Sequence, residues 1–298
     1  MSINKLVATM AIAALAGGFG SAANAALIKT DIVMMVDESG SMGNVQANLR
    51  NNIGQFASIL SSGGVDARYG LVGYGSSTVA PRMLTNLTDS ASFAIAAQGL
   101  LVNGGTEPGY TATAFALNEL DNQASLFSFR SDAIKNIIIF TDEPSNGDTV
   151  ARGAVGTLAV TLAIADQLLD DNNALFNAVL RGTSTINSYK PLADNHGGNV
   201  YDLNGLNTTD QQVVTTFVDS FAQSKLQEIL DFCTLNPNDP ACQVGTVPEP
   251  TSLALLGLGT FGLVAQGQTP VEVAVAAIEW GSLLGATALR DGVDVCIS

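Results

Sequence analysis

The chain has 298 residues, of which 47% are hydrophobic and 13% charged, so it can bury a substantial core, which excludes an intrinsically disordered chain. Its formal charge of -15 and pI near 4.1 repel phosphate backbones, which excludes nucleic acid as a partner. Acidity alone leaves two roles open, solvation of the surface and collection of cations.

The chain opens on one positive residue, Lys5, an apolar run over 6–18 and small residues ending Ala23-Asn24-Ala25. This pattern predicts a secretory signal peptide over 1–25, cleaved after Ala25; the run is short for a membrane span and is broken by Gly17, Gly18 and Gly20. Residues 31–36 read as a buried strand ending at Asp37. After a loop over 38–43, Val45, Leu49, Ile53, Phe56 and Leu60 recur at helical spacing until Ser61-Ser62-Gly63-Gly64 stops them. A second strand is expected over 69–74 and an edge strand over 82–87, entered after Pro81. Helices follow over 90–101 and 111–120, separated by Gly104-Gly105, and then a near-continuous apolar run over 136–140 that suits a central strand. It ends at Thr141-Asp142. A helix over 157–169, strands over 174–180 and 199–203, and a helix over 211–230 complete the folded part. Alternating strands and helices predict an α/β fold with a doubly wound, mostly parallel sheet flanked by helices, whose ligands sit at the carboxyl ends of the strands. Asp37 and Asp142 both fall there.

Three cysteines lie in the C-terminal third. Cys233 and Cys242 bracket a turn-rich loop containing two prolines, and export permits disulfides, so this pair is expected to be bridged, with Cys296 left over. No second cysteine pair or histidine cluster accompanies them as a zinc site would require. The folded domain is placed at 26–232, with the cysteine-bracketed loop and a linker over 233–246.

Asp37-Glu38-Ser39-Gly40-Ser41 offers one carboxylate and two hydroxyls at alternate positions, so that three oxygens can converge above the strand end, and Asp142 leaves a neighbouring strand. Hard cations such as Mg2+ take about six oxygens and keep waters where carboxylates are few. DxSxS by itself is a common turn pattern, and the bland reading is that Asp37 and Ser39 cap the following helix. Placed between a buried strand and an amphipathic helix, the segment resembles the metal-ion-dependent adhesion site (MIDAS) of von Willebrand factor type A (VWA) domains, over about residues 27–230. The resemblance implies a metal set of Asp37, Ser39, Ser41, Thr106 (in Gly104-Gly105-Thr106) and Asp142, holding Mg2+, with Mn2+ or Ca2+ as alternatives. Glu107 beside Thr106 is an alternative ligand, directly or through a water. Glu38, Glu107 and Glu143 read either as collectors of the cation or as plain solvated loop carboxylates.

Val247-Pro248-Glu249-Pro250 and the apolar segment after it resemble the PEP-CTERM sorting signal of exported bacterial proteins, placed at 247–265. The resemblance implies exosortase-type processing, transient membrane contact through this segment, and a cell-surface or extracellular-matrix location in a Gram-negative bacterium. The basic cluster that should close the signal is absent from the atypical tail over 266–298. Read from the second base of the Ala265 codon, the codons through Pro270 become CNC ARG GNC ARA CNC CNG, and ARG and ARA encode only Lys or Arg. A frameshift near Ala265 is therefore expected; resequencing the locus checks it, and that frame without basic codons removes the idea. If the tail is genuine, 271–289 reads as a second membrane-seeking helix burdened by Glu272 and Glu279.

The expected function is non-enzymatic: a bound dication coordinates the carboxylate of a protein or polysaccharide partner. The alternative is a structural matrix or biofilm protein with a vestigial metal site. A hydrolase is disfavoured by a single histidine, His196, read as a surface loop residue, and by the lack of a GxSxG elbow or HExxH helix.

Overall fold

β1 (Ile28–Asp37) turns Ile32, Met34 and Val36 to one face and Val33 and Met35 to the other, all of them buried. A strand apolar on both sides belongs inside a sheet covered twice. The computed structural model, which describes residues 27–243, places it there. The signal peptide, the sorting segment and the tail expected at the chain ends lie outside the described residues.

After β1, a 3-10 turn over Gly40–Met42 leads into α1 (Gly43–Ser62), then β2 (Val65–Tyr74), β3 (Arg82–Thr88), α2 (Ser90–Ala96) and α3 (Gly109–Ala116). β4 (Ile134–Thr141), a small hairpin of β5 (Ala154–Val155) and β6 (Leu158–Ala159), α4 (Leu162–Asp171), β7 (Leu175–Leu180), α5 (Thr183–Asn195), β8 (Val200–Asp202) and α6 (Gln211–Leu235) follow. The main sheet has the order β3-β2-β1-β4-β7-β8. Every neighbouring pair in it is parallel except β2 with β3, so the antiparallel strand is the edge. α1, α2 and α6 cover one face and α3, α4 and α5 the other. This is the doubly wound α/β architecture expected from the alternating pattern. Among the described residues no helix is long and apolar enough to cross a membrane.

Several elements differ from the sequence expectation for identifiable reasons. The helix expected over 90–101 ends at Ala96 and relaxes into a 3-10 turn over Ala97–Gly99. α3 runs only over Gly109–Ala116, because Asn118 turns into the left-handed region at φ 65°. The helix expected from 157 starts at Leu162: Gly156 and Thr157 both take positive φ, the signature of a two-residue hairpin turn, and the Thr161 hydroxyl then caps α4. α5 had no counterpart in the expectation, since Pro191 and a polar composition hide it. Two parallel strands nevertheless need a crossover, and the segment between β7 and β8 supplies it as a helix.

Two buried ionic clusters brace the sheet. At the amino ends of the strands Asp31, fully buried, accepts hydrogen bonds from the Arg68 guanidinium and from both the amide and the guanidinium of Arg130. Between β7, β8 and α6, Lys225 reaches Glu228 at 2.8 Å with no solvent contact of its own. The chain enters and leaves at the Asp31 end. Ile28 donates its amide to the Gly64 carbonyl before β2, and the loop after α6 lines a pocket through Asp239 and Pro240 together with Arg130, Ile134, Asn172 and Phe232 of α6. Cys233 and Cys242 are joined there by a disulfide.

Candidate metal centre

The chain passes from β1 to β2 on one side and returns to β4 on the other, so the carboxyl ends of β1 and β4 flank the point where the strand order reverses. A crevice opens at such a point in doubly wound sheets. In the parallel register Val36 faces Phe140, which sets Asp37 beside Thr141, and Thr141 faces Leu180, which sets Asp142 beside Arg181. The register alone therefore brings two carboxylates and a guanidinium to one edge.

Asp37 is fully buried. Its Oδ1 accepts from the Ser39 amide at 2.6 Å and its Oδ2 from the Thr141 hydroxyl at 2.8 Å. Burial nevertheless pushes its pKa up to about 7, with hydrogen bonds from Ser39 and Thr141 pulling it back and the charge of Glu107 adding to the rise. The Ser39 and Ser41 hydroxyls are 3.1 Å apart, and the Ser41 hydroxyl donates to Asp142 Oδ1 at 2.8 Å. Asp142 Oδ2 is bound by Arg181 Nη2, and the Thr185 hydroxyl of α5 holds the Asp142 carbonyl at 2.9 Å. Asp37, Ser39, Ser41 and Asp142 thus form one linked row of oxygens.

Thr106 stands apart. It is half-buried, its methyl faces Gly147 and its carbonyl faces Gly75, and its hydroxyl makes no hydrogen bond to the other four among the described residues. Its loop is nonetheless tied to the site, since Gly104 bridges Ser39 and the Glu38 carbonyl accepts from the amides of Asn103 and Gly104. Gly104 is obligatory for this approach, because a Cβ there would lie 1.5 Å from the Gly75 carbonyl oxygen. Glu107, next along, is 2% exposed; one of its oxygens accepts from Asn146 and the other, Oε1, is buried without a partner. Burial raises its pKa.

Three carboxylates beside the row therefore differ. Glu143 is exposed, as a solvated loop residue would be. Glu107 is not, and neither is Glu38, which is fully buried, pairs with Arg82 and accepts the Leu101 amide at 2.8 Å. Glu38 fixes the 101–104 loop from below, with Gln46 joining the Asp37 and Leu101 carbonyls. His196 also departs from the expectation: it caps α5 in a buried position, and Asp166 and Asp170 on α4 face its ring nitrogens at 2.9 and 3.5 Å. The neighbouring helix, invisible in local sequence, covers it.

Thr141, Arg181 and Arg82 escaped the sequence reading. The only available signal for the first two was their place one step from Asp37 or Asp142 in the strand register. Arg82 had none, because its partner Glu38 reads as a loop residue.

Chemically the row suits a hard cation. In an octahedron with metal–oxygen distances near 2.1 Å, adjacent oxygens stand about 3 Å apart. The Ser39–Ser41 and Ser41–Asp142 separations of 3.1 and 2.8 Å are those of hydrogen bonds that a cation could replace without moving the oxygens far, and the unpartnered Glu107 Oε1 adds a free acceptor whose charge is felt by Asp37 and Asp142. Among the described residues no three of His, Cys, Asp and Glu converge as a closed metal site would need, so a cation here would have to draw on hydroxyl as well as carboxylate oxygens.

A family model for the von Willebrand factor type A domain matches residues 31–227, and one for the PEP-CTERM protein-sorting motif matches residues 246–266. No curated protein matches the chain.

Proposed function

The chain belongs to the von Willebrand factor type A domain family, whose members are usually non-catalytic interaction modules, and from that premise we propose that it is a cation-dependent adhesion module. The domain and the sorting motif mark an extracellular adhesion or protein-binding protein, exported by a Gram-negative bacterium and processed by exosortase-type machinery. The finer reading is that Asp37, Ser39, Ser41, Thr106 and Asp142 hold one divalent cation, Mg2+ first and Mn2+ or Ca2+ as substitutes, with Glu107 as the alternative to Thr106, directly or through a water. Asp37 and Asp142 with the neutral serine hydroxyls would hold the cation without quenching its charge, and when bound it would supply Lewis acidity toward a carboxylate of a protein or polysaccharide partner. The observation that carries this is the convergence of Asp37, Ser39, Ser41 and Asp142 at the switch point of the sheet.

One observation favours the other reading, a structural matrix protein with a vestigial site: Asp142 already has a cationic partner in Arg181. Calorimetric titration of Mg2+, Mn2+ and Ca2+ into the full-length chain, beside Asp37→Ala and Asp142→Ala, separates the two. Saturable binding weakened at least a hundredfold by either change is the expected result. A folded wild type that takes up none of the three ions leaves the structural reading in place.

A further inference from the structure

Arg181 follows the last residue of β7, and the register of β4 with β7 sets it alongside Asp142. The Asp142 side chain is 4% exposed, while that of Arg181 is 39% exposed. The guanidinium makes a single contact through Nη2, and Asp142 is its one side-chain partner among the described residues. The other arginines near this end are engaged elsewhere: Arg82 on Glu38, and Arg152 on the Gly147 carbonyl. One Asp142 oxygen thus faces the serine row and the other a fixed positive charge.

An arginine keeps its charge at any pH the fold survives, so this positive group cannot be removed by losing a proton, as a lysine could. A one-point contact from a half-exposed side chain is also easily given up to solvent. A dication approaching the row meets a carboxylate already neutralised. Either it shares Asp142 with the guanidinium, two positive charges then facing each other across one carboxylate, or it drives the guanidinium out into water. Both routes weaken cation binding relative to a site with two free aspartates.

Resting on the cation-site reading above, we infer that Arg181 is a built-in rival to the dication for Asp142, and that it sets the cation concentration at which the site fills. It is a positioning residue that acts through Asp142. Because competition for one carboxylate is reciprocal, anything that draws the guanidinium outward, such as a partner's carboxylate at the rim, tightens the cation by the same factor.

The test is calorimetric titration of Mn2+ into the full-length wild type, Arg181→Met, Arg181→Gln and Arg181→Lys, each checked for folding by thermal melting. The expected result is at least tenfold tighter binding in the two neutral variants and binding within threefold of wild type in Arg181→Lys. A wild type with no measurable binding beside a neutral variant that binds supports the rivalry equally. Equal or weaker binding in a folded neutral variant beside a wild type that binds overturns this inference and leaves the cation site standing. An equal gain in Arg181→Lys assigns the effect to packing and overturns it too. No binding in any of the four removes both the inference and the reading beneath it.

Discussion

Asp37→Asn should raise the melting temperature of the cation-free protein near pH 8 while removing its stabilisation by Mn2+. Asp37 is fully buried, and burial lifts its pKa from 3.8 to about 7. The folded chain therefore holds this proton more tightly than the unfolded chain, and between pH about 4 and 7 stability falls as pH rises. Above that window the ionised carboxylate costs on the order of 4 kcal/mol. The amide escapes this penalty: its oxygen can still accept from the Ser39 amide, and its nitrogen can donate to the Thr141 hydroxyl, which then turns. After some loss of fit, a net gain of about 1–3 kcal/mol remains, or several degrees in Tm for a domain of this size. At pH 5 the penalty falls to about 1.6 kcal/mol, since only the unfolded carboxyl is then ionised, and the loss of fit offsets it, so the gain should shrink toward zero. Saturating Mn2+ should raise the Tm of the wild type alone, since it binds only the folded, ionised site. Melting curves at pH 5 and pH 8, with and without Mn2+, check all of this. A variant less stable than wild type at both pH values would show that the Asp37 charge is already compensated without a cation.

The second large effect lies on α6, away from the site. Glu228 accepts from Lys225, Asn177, Asn199 and Tyr201, so both of its oxygens are fully used. Burial alone would raise its pKa, but Lys225 and the asparagine amides outweigh it and the net shift is downward. Lys225, with no exposed surface, has its pKa lowered by burial. Glu228→Ala strands that ammonium and the buried Asn177 amide in the core. The expected loss is about 3–5 kcal/mol, a fall in Tm on the order of 10–15 °C, with cation affinity unchanged. The double change Lys225→Met with Glu228→Leu should recover most of it, because a buried pair replaced by apolar groups is often neutral. A double variant as unstable as the single one would place the loss in packing rather than in the stranded charge.

The legible parts of the fold were those written into short stretches of chain. β1 and β4 are apolar on both faces, α1 shows its period, and Asp37-x-Ser39-x-Ser41 lies within one turn of backbone. The illegible parts depend on pairing across the sheet. Nothing near Arg181 in sequence announces Asp142, 39 residues away, and nothing in Glu38 tells that Arg82 and the Leu101 amide will bury it. α5 was hidden by Pro191, although the parallel order of β7 and β8 demands a crossover there. Thr106 is the converse case. The family resemblance names it although its hydroxyl makes no hydrogen bond to the other four among the described residues, and the buried, unpartnered Oε1 of Glu107 beside it could not be foreseen from a loop glutamate.

Both ends of the described chain emerge beside Asp31, at the foot of the strands, whereas the oxygen row crowns their opposite ends. A load between Ile28 and a group held at Asp37 would run lengthwise along β1. Parallel strands loaded along their own axes resist in shear, with many ladder hydrogen bonds sharing the pull at once rather than opening one after another. The described domain thus keeps the ends of its chain and its candidate metal centre at opposite poles of the sheet.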